Sequence, residues 1–322
     1  MYVSQASGQE DWSCDQSKPC KTIWRAVTLA SRGDHIYLDG TGTHKYPYTC
    51  QSGTSEHPGI NTNKSLSLIG FVSPVPHIRC PEGTGLAFIG SDNAEKMTVT
   101  LSKLFFNESF VRVQDFSVEI DEYTFEGSKQ GIQFVMTTKT ASSIEIRNST
   151  FSRNQECISV VVTGTVKNSS DIPVTFKLTN SSFDGNIFSD EGTCISFTES
   201  RHSNHSASSN ITLDNVKFSR NKFSSNGLVL LEMDDGNQNI RLQNVLFIDN
   251  RPLSDARRRD FTSSSDSDCI IRSTGVNIFI NSSNFTREVV RSFSVNASNI
   301  SLQIFNSSLL VTESKEMVGP YH

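Results

Sequence analysis

The sequence predicts an all-β fold, a β-solenoid whose short parallel strands stack coil upon coil beneath an N-terminal amphipathic capping helix. Three observations predict it. First, a motif with apolar residues at offsets 0, 2 and 7, a small polar residue at 4 and a polar one at 10 keeps returning. It reads IEIRNSTFSRN from Ile144, FKLTNSSFDGN from Phe176, ITLDNVKFSRN from Ile211, IRLQNVLFIDN from Ile240 and IFINSSNFTRE from Ile278. Second, most copies are followed by another apolar run that starts on a small residue: GIQFVM from Gly131, CISVVV from Cys157, CISFTE from Cys194, GLVLLEM from Gly227 and CIIRS from Cys269. Third, helical periodicity is convincing in one place only, near the N-terminus.

That helix falls in KPCKTIWRAVTLASRGD. Ile23, Ala26, Val27 and Ala30 lie at i, i+3, i+4 and i+7, with Pro19 suited to the start and Gly33 to the exit, so a helix over about 19–32 is expected. HIYLDGTGTH then alternates as a strand and turns at glycines. A helix laid over the open end of a sheet hides unpaired edge groups, so residues 1–65 read as a cap region. Stacked coils are expected over 66–312 and a tail over 313–322, all within one domain, 1–322. The motif extends to Val111, Val113, Asp115, Val118 and Asp121 at one end and to Leu302, Ile304, Asn306, Leu309 and Thr312 at the other. Its first positions, 111, 144, 176, 211, 240, 278 and 302, are then 33, 32, 35, 29, 38 and 24 residues apart. Insertions in Ser/Asn/Asp-rich connections such as TESRHSNHSASSN and RPLSDARRRDFTSSSDSD explain the uneven period.

Side chains at offsets 0 and 2 face one way because a strand repeats every second residue. Asparagine at offset 4 tolerates the left-handed backbone of a sharp bend. No unit can bury its apolar edge alone, so coils must stack in parallel at about 4.8 Å, Ile on Ile and Phe on Phe. Asn148, Asn180, Asn215 and Asn244 should then form a structural ladder.

Composition bounds the partners and the compartment. The 322 residues carry a net charge of −5, without the basic face that nucleic acid requires. No run of about 18 apolar residues is present to span a bilayer. MYVSQASGQE has no signal-peptide character, and EMVGPYH no evident closing cap, so a longer precursor is expected, with its start missing and with more coils, other domains or an anchor after the tail. Seven cysteines and an excess of glycosylation sequons favour the secretory route. Cys14, Cys20, Cys50 and Cys80 crowd the cap region. Four cysteines allow three connectivities, of which Cys14 with Cys20 and Cys50 with Cys80 is preferred. Cys157, Cys194 and Cys269 share the head of the second strand with Gly131 and Gly227 and read as buried thiols, with a Cys157–Cys194 bridge as the alternative. Of 24 asparagines, 12 lie in Asn-x-Ser/Thr. Asn63, Asn107, Asn168, Asn204, Asn210, Asn281, Asn284, Asn296 and Asn299 are the candidate acceptors. Asn148, Asn180 and Asn306 sit at the bend, where stacking should turn them from a transferase.

The chain resembles the right-handed parallel β-helix of the pectin-lyase-like superfamily, over roughly Tyr2 to Thr312. PCKTIWRAV…GDHIYLDGTGTH is similar to the Cys-Lys-Thr-Ile cap of secreted β-helix proteins, and the loosely spaced repeat resembles the glycosylated β-helix regions of animal extracellular proteins. The resemblance implies a fold that carries lyases, glycosidases, adhesins and non-catalytic scaffolds alike.

Enzymes of that group cluster acidic residues, and a glycosidase needs two carboxylates about 5 to 10 Å apart. Asp234 and Asp235 are adjacent in EMDDGNQN but read as a solvated Asp-Gly turn. The Gly-His-Gly and Arg-x-Lys elements of polygalacturonase-like enzymes are missing. His35, His44, His57 and His77 fall in or near the cap, His202 and His205 in a loop and His322 at the end, so no triad emerges. Arg257, Arg258 and Arg259 form a charged loop that could also be a processing site or an anion contact. The cysteine spacing gives no metal site, and no cofactor is indicated. The expectation is therefore a secreted or cell-surface glycoprotein without catalysis, a scaffold or recognition module for carbohydrate or protein. A polysaccharide lyase or glycoside hydrolase is the alternative, to be judged by whether Asp184, Asp214, Asp234, Asp235 or Asp249 converge with Arg or Lys in one groove.

Overall fold

The structure, a computed structural model, describes residues 1–50, 59–81, 84–90, 97–137, 142–164, 174–188, 192–201, 209–223, 227–233, 238–253, 269–274, 276–286, 291–296, 302–305 and 307–309. The strands are short because each coil must turn before its apolar pairs run out. Three long parallel sheets result, to which the successive coils contribute in the order sheet A, sheet B, sheet C; Lys222–Phe223 and Arg251–Pro252 pair as a small fourth sheet. Sheet A has eleven strands, from Tyr2–Ser4 to Leu302–Phe305; sheets B and C have nine each. Parallel strands joined by same-handed crossovers of this kind wind as a right-handed parallel β-helix.

Like residues meet down the coils. In sheet A, Val118, Ile144, Phe176, Ile211, Ile240, Ile278 and Leu302 are successive register partners. In sheet B, Phe106, Phe125, Phe151, Phe183, Phe218, Phe247 and Phe285 do the same. The rings of Phe151, Phe183, Phe218 and Phe247 stack with centroids 4.7–4.8 Å apart and planes within 9°. Burying each such ring contributes about 1.5 to 3 kcal/mol.

The register corrects the phase of one unit. Val111 and Val113 pair with Ile132 and Phe134 in sheet C, whereas the partner of Ile144 is Val118. Asp115, left-handed at φ 56°, gave the Val111 segment the look of the sheet A motif. The true unit is Val118, Ile120, Glu122 and Phe125.

From Lys103 onward, left-handed residues mark the bends of the coils. Between sheets A and B stand Lys103, Glu122, Asn148, Asn180, Asn215, Asn244 and Ser282; between B and C stand Glu108, Gly127, Arg153, Gly185, Arg220 and Asp249. Immediately after the second bend comes a row of wholly buried asparagines, Asn154, Asn186, Asn221 and Asn250. Asn186 uses its full side-chain capacity. Its amide donates to Phe151 O at 3.0 Å and Asn221 Oδ1 at 2.9 Å, and its oxygen accepts from the backbone N of Asn154 at 2.8 Å and Asn154 Nδ2 at 3.1 Å. The same contacts recur at Asn154 and Asn221.

The helix is shorter than its periodicity suggests, Ile23–Leu29, with Thr22 as N-cap. Cys20 bridges to Val3 in extended backbone, which postpones the start. Lys64 Nζ donates to the carbonyls of Val27, Thr28 and Ala30 at 3.2, 3.3 and 2.7 Å and so closes the other end. Ile23, Ala26 and Val27 join the core. Disulfides Cys14–Cys20 and Cys50–Cys80 fasten this region. Cys157 and Cys194 are buried free thiols. They align with Gly131, while Gly227 and Cys269 fall one residue earlier, opposite Leu228 and Ile270 by one step, so the expected shared position splits into two.

Candidate functional site

The outer surface of sheet A is built by alternation. Glu119 lies between buried Val118 and Ile120, and Glu145 between buried Ile144 and Ile146, so both carboxylates point to solvent. Glu119 and Glu145 are register partners on neighbouring parallel strands, which sets their backbones about 4.8 Å apart. Further along that row come Lys177, Thr212 and Arg241. The parallel row two residues on holds Ser102, Asp121, Arg147, Thr179 and Asp214.

Cations hold one member of the pair. Lys177 Nζ lies 3.4 Å and Arg147 Nη1 3.7 Å from Glu145 Oε1. Asp121 accepts from Asn148 Nδ2 at 2.8 Å. Two carboxylates, a third beside them and two flanking cations can protonate a leaving oxygen, attack or activate water, and neutralise an acidic sugar.

The aspartates singled out from the sequence do not form one group. Asp184 accepts from Arg220 Nε at 2.9 Å and from Ser219 Oγ at 2.7 Å, and Asp249 adds to the field at Arg220, all at the bend between sheets B and C. The Arg220 hydrogen bond, against some desolvation, keeps Asp184 below the usual carboxylate range. Asp214 ends a strand of sheet A, before the other bend, and accepts from Asn244 Nδ2 at 3.2 Å. Asp234, Asp235 and Arg257 to Arg259 lie outside the described residues. His44 and His77 meet edge to face at 5.2 Å, and His77 stacks on Phe105 at 4.4 Å; burial first, and His44 second, hold His77 below its ordinary range.

The bend asparagines Asn148, Asn180, Asn215 and Asn244 are exposed. Asn215 Nδ2 donates to Asn180 Oδ1 at 2.8 Å and Asn180 Nδ2 to Asn148 Oδ1 at 3.4 Å. Among the candidate acceptors, Asn63, Asn210 and Asn281 are exposed and Asn107 and Asn284 half-buried. Asn168, Asn204 and Asn299, with Asn306, lie outside the described residues; Asn296 ends a described strand. No helix among the described residues is long and apolar enough to cross a membrane.

Sequence reasoning missed Glu119 and Glu145. The signal was offset 1 of the repeat, which in the corrected phase reads Thr100, Glu119, Glu145, Lys177, Thr212, Arg241; the Val111 phase hid Glu119 from this series.

No family model matches the chain. No curated protein matches its sequence either. Two solved structures match its fold. One is a GH136 lacto-N-biosidase from Eubacterium ramulus, at 9% identity and TM-score 0.30, covering 94% of this chain and 67% of that one. The other is a mannuronan C-5 epimerase A-module from Azotobacter vinelandii, at 11% identity and TM-score 0.25, covering 97% of this chain and 99% of that one. Similarity at this level concerns the fold and transfers no residue. The expectation of a chain without catalysis finds no support there: both matching solenoids bear the names of carbohydrate-active enzymes. The two disulfides indicate an oxidising compartment.

Proposed function

We propose that the chain is a secreted, carbohydrate-active β-helix, a glycoside hydrolase that engages an extended polysaccharide on the outer face of sheet A. The observation that carries this reading is the in-register pairing of outward-facing Glu119 and Glu145. Adjacent strands space such carboxylates near the 5 to 5.5 Å used in hydrolysis with retention. Glu145, paired with Lys177 and Arg147, attacks the anomeric carbon. Glu119 gives its proton to the departing glycosidic oxygen, then takes one from the water that releases the sugar from Glu145. A secreted setting is supported by the disulfides and by exposed sequons at Asn63, Asn210 and Asn281.

The test is reducing-end release from a panel of neutral and uronic-acid polysaccharides. Glu119→Gln and Glu145→Gln should each lower activity at least about 100-fold with an unchanged melting temperature. A wild-type protein that releases no reducing ends from any of them, or variants as active as wild type, would remove the assignment. Products carrying an unsaturated uronate would reassign the same face to elimination.

A further inference from the structure

Three aromatic rings stand on the outer face of sheet A at its N-terminal end. Tyr2 and Tyr37 are register partners with rings 5.1 Å apart and 27° from parallel. Phe71 meets both edge-on, at 5.5 Å from Tyr2 and 5.7 Å from Tyr37. It is 49% exposed, an unusual position for so large an apolar side chain.

Phe71 is there because the sheet breaks its rule. Leu38 pairs with Gly70 and Asp39 with Val72, so Phe71 is the extra residue of a β-bulge. Bulges re-aim side chains. The backbone beneath is held by close approach to the next coil, since a Cβ on Gly70 would lie 2.0 Å from Lys103 O. The core does not need this ring, and a polar residue in the bulge would leave the coil's pairing intact.

The two tyrosines of the trio lie on the row that leads to Asp121, beside the row of Glu119. Tyr37, Ile69, Ser102 and Asp121 are successive register partners on four adjacent strands. Three strand steps make about 14 Å, the length of a trisaccharide. Hydroxyls line the interval: Ser67 and Thr100 are partners on the row that reaches Glu119, and Ser102 precedes Asp121. In the opposite direction the face meets the exposed sequon asparagines Asn210 and Asn281.

We infer that Tyr2, Tyr37 and Phe71 form a pyranose-stacking subsite, and that the polysaccharide lies along the solenoid axis from this subsite to Glu119 and Glu145. A sugar ring presents an apolar face of C–H bonds with hydroxyls around its rim. Aromatic faces cover the first, while the tyrosine hydroxyls, Ser67, Thr100 and Ser102 serve the second. A lipid chain would have no use for the hydroxyl-lined interval. The position of cleavage along the bound chain rests on the hydrolase reading; stacking at the trio does not.

Affinity electrophoresis in gels containing galactomannan, xyloglucan, polygalacturonate or alginate separates the two. Wild type should be retarded by at least one of these polymers. Tyr37→Ala and Phe71→Ala should weaken retardation about tenfold or more, the loss of one stacked ring, while Phe71→Tyr, which keeps a ring, should retain it. Unchanged melting temperatures confirm folding. Glu119→Gln should be retarded like wild type. Aromatic variants that migrate as wild type does in the polymer gels, or a wild type retarded by none of the four, would overturn the subsite. If Glu119→Gln remains active while Tyr37→Ala loses retardation, the hydrolase reading falls and the subsite stands.

Discussion

Two rows of asparagine run the length of the central coils, and they differ in what surrounds them. Asn148, Asn180, Asn215 and Asn244 occupy left-handed positions on the surface; side-chain hydrogen bonds join the first three in single file, while Asn244 donates to Asp214. Asn154, Asn186, Asn221 and Asn250 follow the next bend with no solvent exposure, each tied to a phenylalanine carbonyl of sheet B. In the exposed row, the residue type matters because asparagine accepts φ near 50°. In the buried row it matters because two donors and two acceptors must be met where water cannot reach. Identical residues thus serve backbone conformation in one place and polar satisfaction in the other.

Replacement inside the buried row should have the largest effect. Asn186→Ala removes the side-chain partner of the Asn154 backbone N–H and one bond each from the Phe151 carbonyl and the two neighbouring amides. A loss of about 3 to 5 kcal/mol is expected from several buried unpaired groups, read from the midpoint of urea unfolding; a loss under about 1 kcal/mol would mean that water replaces the side chain. In the exposed row, Asn180→Ala should cost roughly 1 to 2 kcal/mol from the left-handed backbone, and Asn180→Gly close to nothing. Equal losses from both substitutions would return the weight to the hydrogen bond and erase the contrast.

The smallest effect concerns the ion pairs at the second bend. Asp184 has its folded pKa lowered, first by the Arg220 hydrogen bond, below the ordinary value of 3.8. A depressed folded pKa gives stability that is present above the unfolded value and disappears as pH falls through the folded one. Asp184→Asn should therefore destabilise slightly at neutral pH, by about 0.5 kcal/mol or less after solvent screening, with the difference from wild type vanishing below pH 3.8. A gap that persists in stronger acid would point away from the carboxylate charge.

The stacking of coils was legible because its cause is periodic: Ile144, Phe176, Ile211 and Ile240 recur for the reason that they touch. The disulfides were legible as a preference among pairings. Phase was harder, since a left-handed Asp115 after two alternating valines imitates the sheet A unit from within sheet C. Polarity at offset 10 was visible, yet polar character in a string of letters does not distinguish solvent from a satisfied interior. The candidate site was almost illegible. Glu119 and Glu145 are separated by 26 residues and meet only through register, and Phe71 reaches the surface through a bulge that no local pattern announces.

The buried asparagines have a consequence for how such a chain could change over time. Each rung asks of its successor what its predecessor asked of it, so an inserted or deleted coil that brings its own asparagine would leave the interior grammar unaltered. Nothing in that grammar counts. The number of turns is free to drift by duplication or loss, while the carboxylates and the aromatic platform, which depend on particular neighbours three turns apart, would bar such editing between them.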